Sequence, residues 1–131
     1  MENSYKPAGY NSLSPYFVVD GVPKFIEFMV KLFDARVLRR YERPNGQVLH
    51  VELKIDDTVI MAADSTDQFP AIHQLVHLYV PDVDLIFQKV KDLQCEEIDL
   101  PKERPNDPDR RGSFRDFAGN YWSIATQVKK D

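Results

Sequence analysis

His50 and Glu52 stand two residues apart in the run LHVELKI, and His77 lies further on in LVHLY. Residues two apart on an extended strand share a face, so an imidazole and a carboxylate would sit side by side. Two chemistries follow from these residue types. Two imidazoles and one carboxylate form a competent donor set for a divalent transition metal. Without a metal, His77 or Glu52 can serve as a general base in proton transfer. Structural roles compete with both: His77 as a hydrogen-bonded strand histidine, Glu52 as an ion-pair partner of Arg115. Cys95 is the only cysteine, so no internal disulfide and no thiolate-rich metal site can form. It has no histidine or basic neighbour in sequence to activate it. His73 is expected exposed in a loop. Ser123 poses a separate question, because it interrupts the aromatic and apolar run Tyr121-Trp122-Ser123-Ile124.

The elements that position these residues are legible in the pattern. Pro15 to Val19 reads as a strand. Asp20 offers a helix cap and Pro23 suits a first helical turn. Val22, Phe25, Ile26, Met29, Leu32 and Phe33 then fall on one helical face. Ala35 to Tyr41 predicts a strand, and Pro44-Asn45-Gly46 a hairpin, since Asn-Gly tolerates the positive φ of a type I′ turn. From Gln47 to Ile55 the sequence alternates, with Leu49, Val51, Leu53 and Ile55 on one face and His50, Glu52 and Lys54 on the other. Asp56-Asp57 turns the chain into a strand from Thr58 to Ala62.

The same order then recurs. Leu75 to Val80 reads as a strand, Asp82 as a cap, and Val83, Ile86, Phe87, Val90 and Leu93 as a helical stripe. Glu96 to Leu100 is a strand, Pro101 to Arg111 a polar, proline-rich segment, and Ser113 to Phe117 another strand. A Gly119-Asn120 turn leads into Tyr121 to Thr126. Seven apolar positions, from Val19 on Val80 to Val37 on Ile98, match at a constant offset of 61 residues, and the Asp57 and Asn120 turns match at 63. A fixed offset over that length marks an internal duplication of strand–helix–strand–strand–strand. The expected organisation is a flexible arm over 1–11 and one domain over 12–131, with repeat one at about 13–64 and repeat two at about 73–127.

Bulk properties bound the rest. The 131 residues carry a net charge of −4 and a pI near 5.3, which argues against a nucleic-acid surface. Lys129-Lys130 is a short solvated cluster. No apolar run approaches membrane-spanning length and Met1 to Ser12 lacks a signal-type apolar region, so a cytoplasmic setting is expected.

The duplicated βαβββ order, together with "VVDGVPKFIEF", "RPNGQVLHVEL" and "FRDFAGNYWSIAT", resembles the vicinal oxygen chelate superfamily of glyoxalase I, extradiol dioxygenases and bleomycin-resistance proteins. The closest look is to its small PhnB-like branch, over Leu13 to Thr126, with Phe117-Ala118 standing where that branch usually has Pro-Phe. The resemblance implies an α+β fold in which two tandem βαβββ repeats form a half-barrel cup, usually completed by a homodimer. Metal-dependent members place four ligands in the cup, on the first and last strand of each repeat. Those positions fall on Ser14, Ile60, Leu75 and Ser123, which lack the donors that a tight site requires. No metal and no other cofactor are therefore expected.

On that assignment, alternation turns Tyr16, His77, Tyr79, Tyr121 and Ser123 toward the cup. His50, Glu52 and Lys54 join them from the third strand, and Ser113 and Arg115 from the corresponding strand of repeat two. Trp122 is expected in the core. The ligand-binding set is thus Tyr16, His50, Glu52, His77, Tyr79, Arg115, Tyr121 and Ser123, with no catalytic residue assigned. The expectation is metal-free binding of a small molecule, for which the net negative charge and Glu52 favour a cation. The alternative is an enzyme (lyase, isomerase or dioxygenase) working by a divalent metal or by His/Glu acid–base chemistry. A partner nucleic acid or membrane is not expected.

Overall fold

Apolar residues at helical and at two-residue spacing meet in each half of the chain, so that one amphipathic helix packs on one face of a four-stranded sheet. The structure, a computed structural model, describes residues 5–129; the first four residues of the expected arm, and Lys130 of the expected basic cluster, lie outside them. The first unit contains β1 (Tyr16–Val19), α1 (Val22–Phe33), β2 (Arg36–Glu42), β3 (Val48–Ile55) and β4 (Thr58–Asp64). The second contains β5 (Leu75–Tyr79), α2 (Val83–Asp92), β6 (Glu96–Glu103), β7 (Asp109–Arg115) and β8 (Tyr121–Gln127). The boundary between the units falls between Ile72 and His73. Strand order is β1-β4-β3-β2 in one sheet and β5-β8-β7-β6 in the other, so β1 and β2 are the edge strands of the first sheet and β5 and β6 those of the second. Only the β1–β4 and β5–β8 pairings are parallel. The fold is α+β, built as two tandem βαβββ repeats.

In the first unit Phe17, Phe25, Met29, Leu32, Val51, Leu53 and Ala62 are fully buried between helix and sheet. The rings of Phe17 and Phe25 lie 5.0 Å apart. In the second, Phe114 stacks on Trp122 at 6.4 Å and meets Phe87 of α2 edge-on at 6.1 Å. Trp122 is therefore core, as expected. Gly112 of β7 closes this packing: a Cβ there would lie 2.8 Å from the Phe87 ring and 2.9 Å from the Asp99 carbonyl oxygen, closer than real contacts allow.

Several local expectations are corrected. Asp20 does not cap α1. The first helix begins after Gly21, and the Gly21 and Val22 N–H groups donate to Asp64 Oδ1 at 3.1 and 2.9 Å. The cap thus comes from the end of β4, and Asp20 instead accepts from Ser65. Asp82 does cap α2, accepting from Asp84 and Leu85 N–H. Pro44-Asn45-Gly46 forms a three-residue loop rather than a type I′ pair: Arg43 N–H donates to Gln47 O, Gly46 N–H donates to Arg43 O, and only Gly46 has positive φ, at 89°. Proline's fixed negative φ at the first loop position selects this geometry. Phe117-Ala118-Gly119 repeats it, with Gly119 at φ 90°. The segment expected as polar loop is partly strand, since β6 runs on to Glu103 and β7 starts at Asp109.

Leu49 is the largest departure. Alternation places it in the core with Val51, yet it is 48% exposed while Val48 is fully buried. Between the Tyr41–His50 and Glu42–Val48 pairs, β3 carries one residue more than β2. That bulge reverses the facing of everything before it.

Candidate functional site

The strand face opposite α1 gathers a chain of polar side chains. Tyr16 on β1 lies 2.9 Å from His50 Nδ1, and His50 Nε2 lies 2.8 Å from Glu52 Oε2. The other carboxylate oxygen accepts a hydrogen bond from Tyr10, and Arg39 Nε stands 3.7 Å from it. Tyr41 stacks on His50 with ring centroids 6.4 Å apart. Glu52 is only 6% exposed. Burial opposes its ionisation, but the hydrogen bonds from Tyr10 and His50, with Arg39 beside them, hold its carboxyl below the ordinary range. With Nε2 donating to the anionic Glu52, Nδ1 is left to accept from the Tyr16 hydroxyl. Burial, with Glu52's charge added, raises the Tyr16 phenol above its ordinary value. Tyr16 is therefore a hydrogen-bond donor at neutral pH, not a tyrosinate base.

Tyr16 also borders a pocket of about 370 Å³ on the same face, with Val18, Leu49, Ala63, Phe69 and Arg43 around it. The β3 bulge turns Leu49 into this wall. A tight turn holds Phe69, whose N–H donates to Thr66 Oγ1 while its carbonyl accepts from Thr66 N–H.

The second unit's corresponding face is more open and more polar. His77 Nδ1 lies 2.8 Å from Ser123 Oγ, and its ring meets Tyr79 edge-on at 5.0 Å. Tyr79 donates to Asp109 Oδ2 at 2.7 Å, which raises the Tyr79 phenol. Tyr121 donates to Ser113 Oγ at 3.0 Å, with the Arg115 guanidinium 5.8 Å from its ring centroid. Tyr121, Ser113 and Ser123 border a pocket of about 280 Å³ with Asp99, Arg104 and Arg111. Ser123 thus faces away from the helix and carries His77, which answers why a serine interrupts that strand.

Of the expected set, Tyr16, His50 and Glu52 come together in the first unit, and His77, Tyr79, Tyr121, Ser123 and Arg115 in the second. Glu52 draws its partners from its own unit, and Arg115 pairs with Glu96 and the Gly119 carbonyl in the second. Sequence reasoning missed Tyr10, Arg39 and Arg43. Arg39 was within reach, because the β2–β3 hairpin sets it directly opposite Glu52. Tyr10 belongs to the expected arm, where no periodicity signals a contact. There Asn11 also accepts from Val59 N–H at 2.7 Å.

The four family-implied metal positions do not suit a metal ion. Ser14 accepts from Asn11, Leu75 is 73% exposed hydrocarbon, and Ser123 holds His77. Ile60 pairs with Leu53 beneath the helix, so the β4 residue facing Tyr16 and Glu52 is Met61. That register slip puts the Met61 thioether where the resemblance placed the Ile60 hydrocarbon. Among the described residues no group of three or more His, Cys, Asp and Glu side chains is placed to hold a metal. Burial, with Asp116 and Glu97 adding, pushes the Cys95 thiol up to about 11, which disfavours its thiolate form.

Comparison with known proteins is consistent with this architecture. The model of the Glyoxalase/Bleomycin resistance protein/Dioxygenase superfamily matches residues 11–124. The Mycobacterium bovis protein Mb0911c is 30% identical over 130 residues, covering 91% of this chain and 85% of that one. Among solved structures, TioX from Micromonospora sp. ML1 superposes with a TM-score of 0.72 at 17% identity, over 92% of this chain and 99% of TioX. TnmS3, an antibiotic binding protein from Streptomyces sp. CB03234, superposes with a TM-score of 0.66 at 20% identity, over 89% and 97%. At these identities the two structures speak for the fold.

Proposed function

The chain belongs to the Glyoxalase/Bleomycin resistance protein/Dioxygenase superfamily, and from that premise we propose that it binds a small molecule on the strand face opposite α1, without a metal. The observation that carries this reading is the pocket bordered by Tyr16, Val18, Leu49, Ala63 and Phe69. An apolar wall with a few polar groups, here Tyr16, Thr66, Asp64 and Arg43, is the ordinary make-up of a small-ligand site. The fold likeness to an antibiotic binding protein agrees with it. His77, Tyr79, Tyr121, Ser123 and Arg115 form a second, more polar contact surface.

Native mass spectrometry of freshly purified protein, paired with metal analysis, tests the reading. A retained small molecule with metal well below one equivalent is expected. Near-equimolar zinc, nickel, manganese or iron would overturn the metal-free part.

Acid–base catalysis is the second reading, favoured by the Tyr16–His50–Glu52 chain. Its phenol end reaches the pocket and its carboxylate end is anchored by Tyr10. Chemical alteration of a bound compound by the wild-type protein, lost in His50→Ala, would select it over simple binding.

We further propose a cytoplasmic homodimer. Leu75, Leu100, Val37 and Ile98 are exposed apolar residues on strands, and closed two-fold dimers are the commonest way to cover such surface. No helix among the described residues is long and apolar enough to cross a membrane. Light scattering should give twice the 15.2 kDa chain mass; a particle of single-chain mass would overturn the dimer.

A further inference from the structure

Arg43 stands at the margin of the first unit's pocket, and its Nη1 is buried with no hydrogen-bond partner among the described residues. A guanidinium N–H removed from water without an acceptor carries a desolvation cost that a partner would offset. The side chain is mounted on a rigid base. Arg43's own N–H and C=O both close the hairpin loop, to Gln47 and Gly46, and Pro44 follows it with its φ fixed. Asp64 borders the same pocket, but its Oδ1 accepts from Gly21 and Val22 and its Oδ2 from Val48 at 2.7 Å. That carboxylate caps a helix and ties a strand.

Glu52 is engaged in the same way, with Tyr10, His50 and Arg39 around it. The expectation of a cationic ligand rested on Glu52 and on net charge. Neither describes this pocket, where the charged donor left without an acceptor is positive.

We infer that the pocket takes a ligand with a compact apolar body and an oxyanion, the body against Leu49, Val18, Ala63 and Phe69 and the anion on the Arg43 guanidinium. This rests on the small-molecule reading above and specifies its ligand class. A planar guanidinium favours carboxylate and phosphonate alike, through charge-assisted hydrogen bonds.

The test titrates the protein with phenylacetate, benzylphosphonate, phenethyl alcohol and phenethylamine, following the backbone amide NMR signals of Leu49, Ala63 and Phe69. Phenylacetate should bind roughly tenfold or more tightly than phenethyl alcohol, with phenethylamine weakest. Benzylphosphonate against phenylacetate decides which oxyanion fits. Arg43→Gln should remove the preference for the acid over the alcohol, and Arg43→Lys should retain part of it. The comparison within the wild type needs no variant, so misfolding of Arg43→Gln cannot obscure the result. If alcohol and acid bind equally, or the amine binds best, the inference falls and the binding reading stands. If none of the four shifts these signals at millimolar concentration, the pocket is not a ligand site and both fall.

Discussion

Replacing Asp116 by alanine should cost about 3–5 kcal/mol of folding stability, more than any other single surface-distant carboxylate change in the chain. Asp116 is 5% exposed and collects four donors. The Ala118 and Asn120 N–H groups reach Oδ1 at 2.9 Å, the Asn120 side-chain amide lies 3.1 Å from Oδ2, and Trp122 Nε1 donates to Oδ2 at 2.9 Å. Asn120 and Trp122 are themselves buried, so the orphaned donors would have no water to turn to. The effect spreads, because Asn120 Oδ1 accepts from Gln74 N–H at 2.8 Å just before β5. One carboxylate thereby fixes a hairpin, a core indole and the entry to the next strand. Asp116→Asn should recover part of the loss: an amide oxygen can still serve Ala118 and Asn120, while its N–H₂ opposes the indole N–H. Urea denaturation of the two variants reads this directly. A loss below about 1 kcal/mol for the alanine variant would show that the turn holds without its carboxylate.

Glu52→Gln is the second large change expected, at about 1–3 kcal/mol near neutral pH. It keeps the shape and removes the charge that Tyr10, His50 and Arg39 surround. The sign of the pH dependence follows from the depressed carboxyl. A folded pKa below the ordinary 4.5 means that ionised Glu52 contributes stability in full above the unfolded value. That contribution is lost as pH falls through the folded value. The gap between wild type and Glu52→Gln should therefore be wide at about pH 7 and narrow toward about pH 3.5. Urea midpoints at the two pH values give the comparison. A constant gap would mean that the network is held by shape alone. Unchanged stability with weakened binding of cations would return Glu52 to the role of ligand contact.

These two networks also show where sequence reasoning succeeds and stops. The repeat was legible because burial acts on every turn of a helix and every second strand residue, and seven matched apolar positions leave a strong periodic signal. Both helices and the inward Trp122 follow from it, and the turn residues placed both hairpins without giving their three-residue form. Leu49 was misplaced because one inserted residue erases alternation locally, and nothing in LHVEL distinguishes a bulge from a regular strand. Ile60 and Met61 were exchanged for a similar reason: the repeats differ by loop length, so an offset taken from turns slips against one taken from strands. Asp20 looked like the cap because capping residues are usually local, whereas the α1 N–H groups are satisfied by Asp64, which is distant in sequence. Tyr10 and Arg43 contribute to the site from an irregular segment and a hairpin end, where side-chain direction is set by tertiary contacts.

The edge strands β2 and β6 carry opposite charge, one in each sheet. RVLRRYE has three arginines against one glutamate, and EEIDLPKE has four carboxylates against one lysine and a proline that lacks an N–H. Open edges of this kind invite pairing with the same strand of a neighbouring copy, a route to aggregates. Identical strands laid edge to edge would here set like charges opposite one another, and Pro101 interrupts the donor row of β6. Crowded or refolding chains are thus kept from self-templating through either of these two strands, and the protection on β2 weakens as ionic strength screens its arginines.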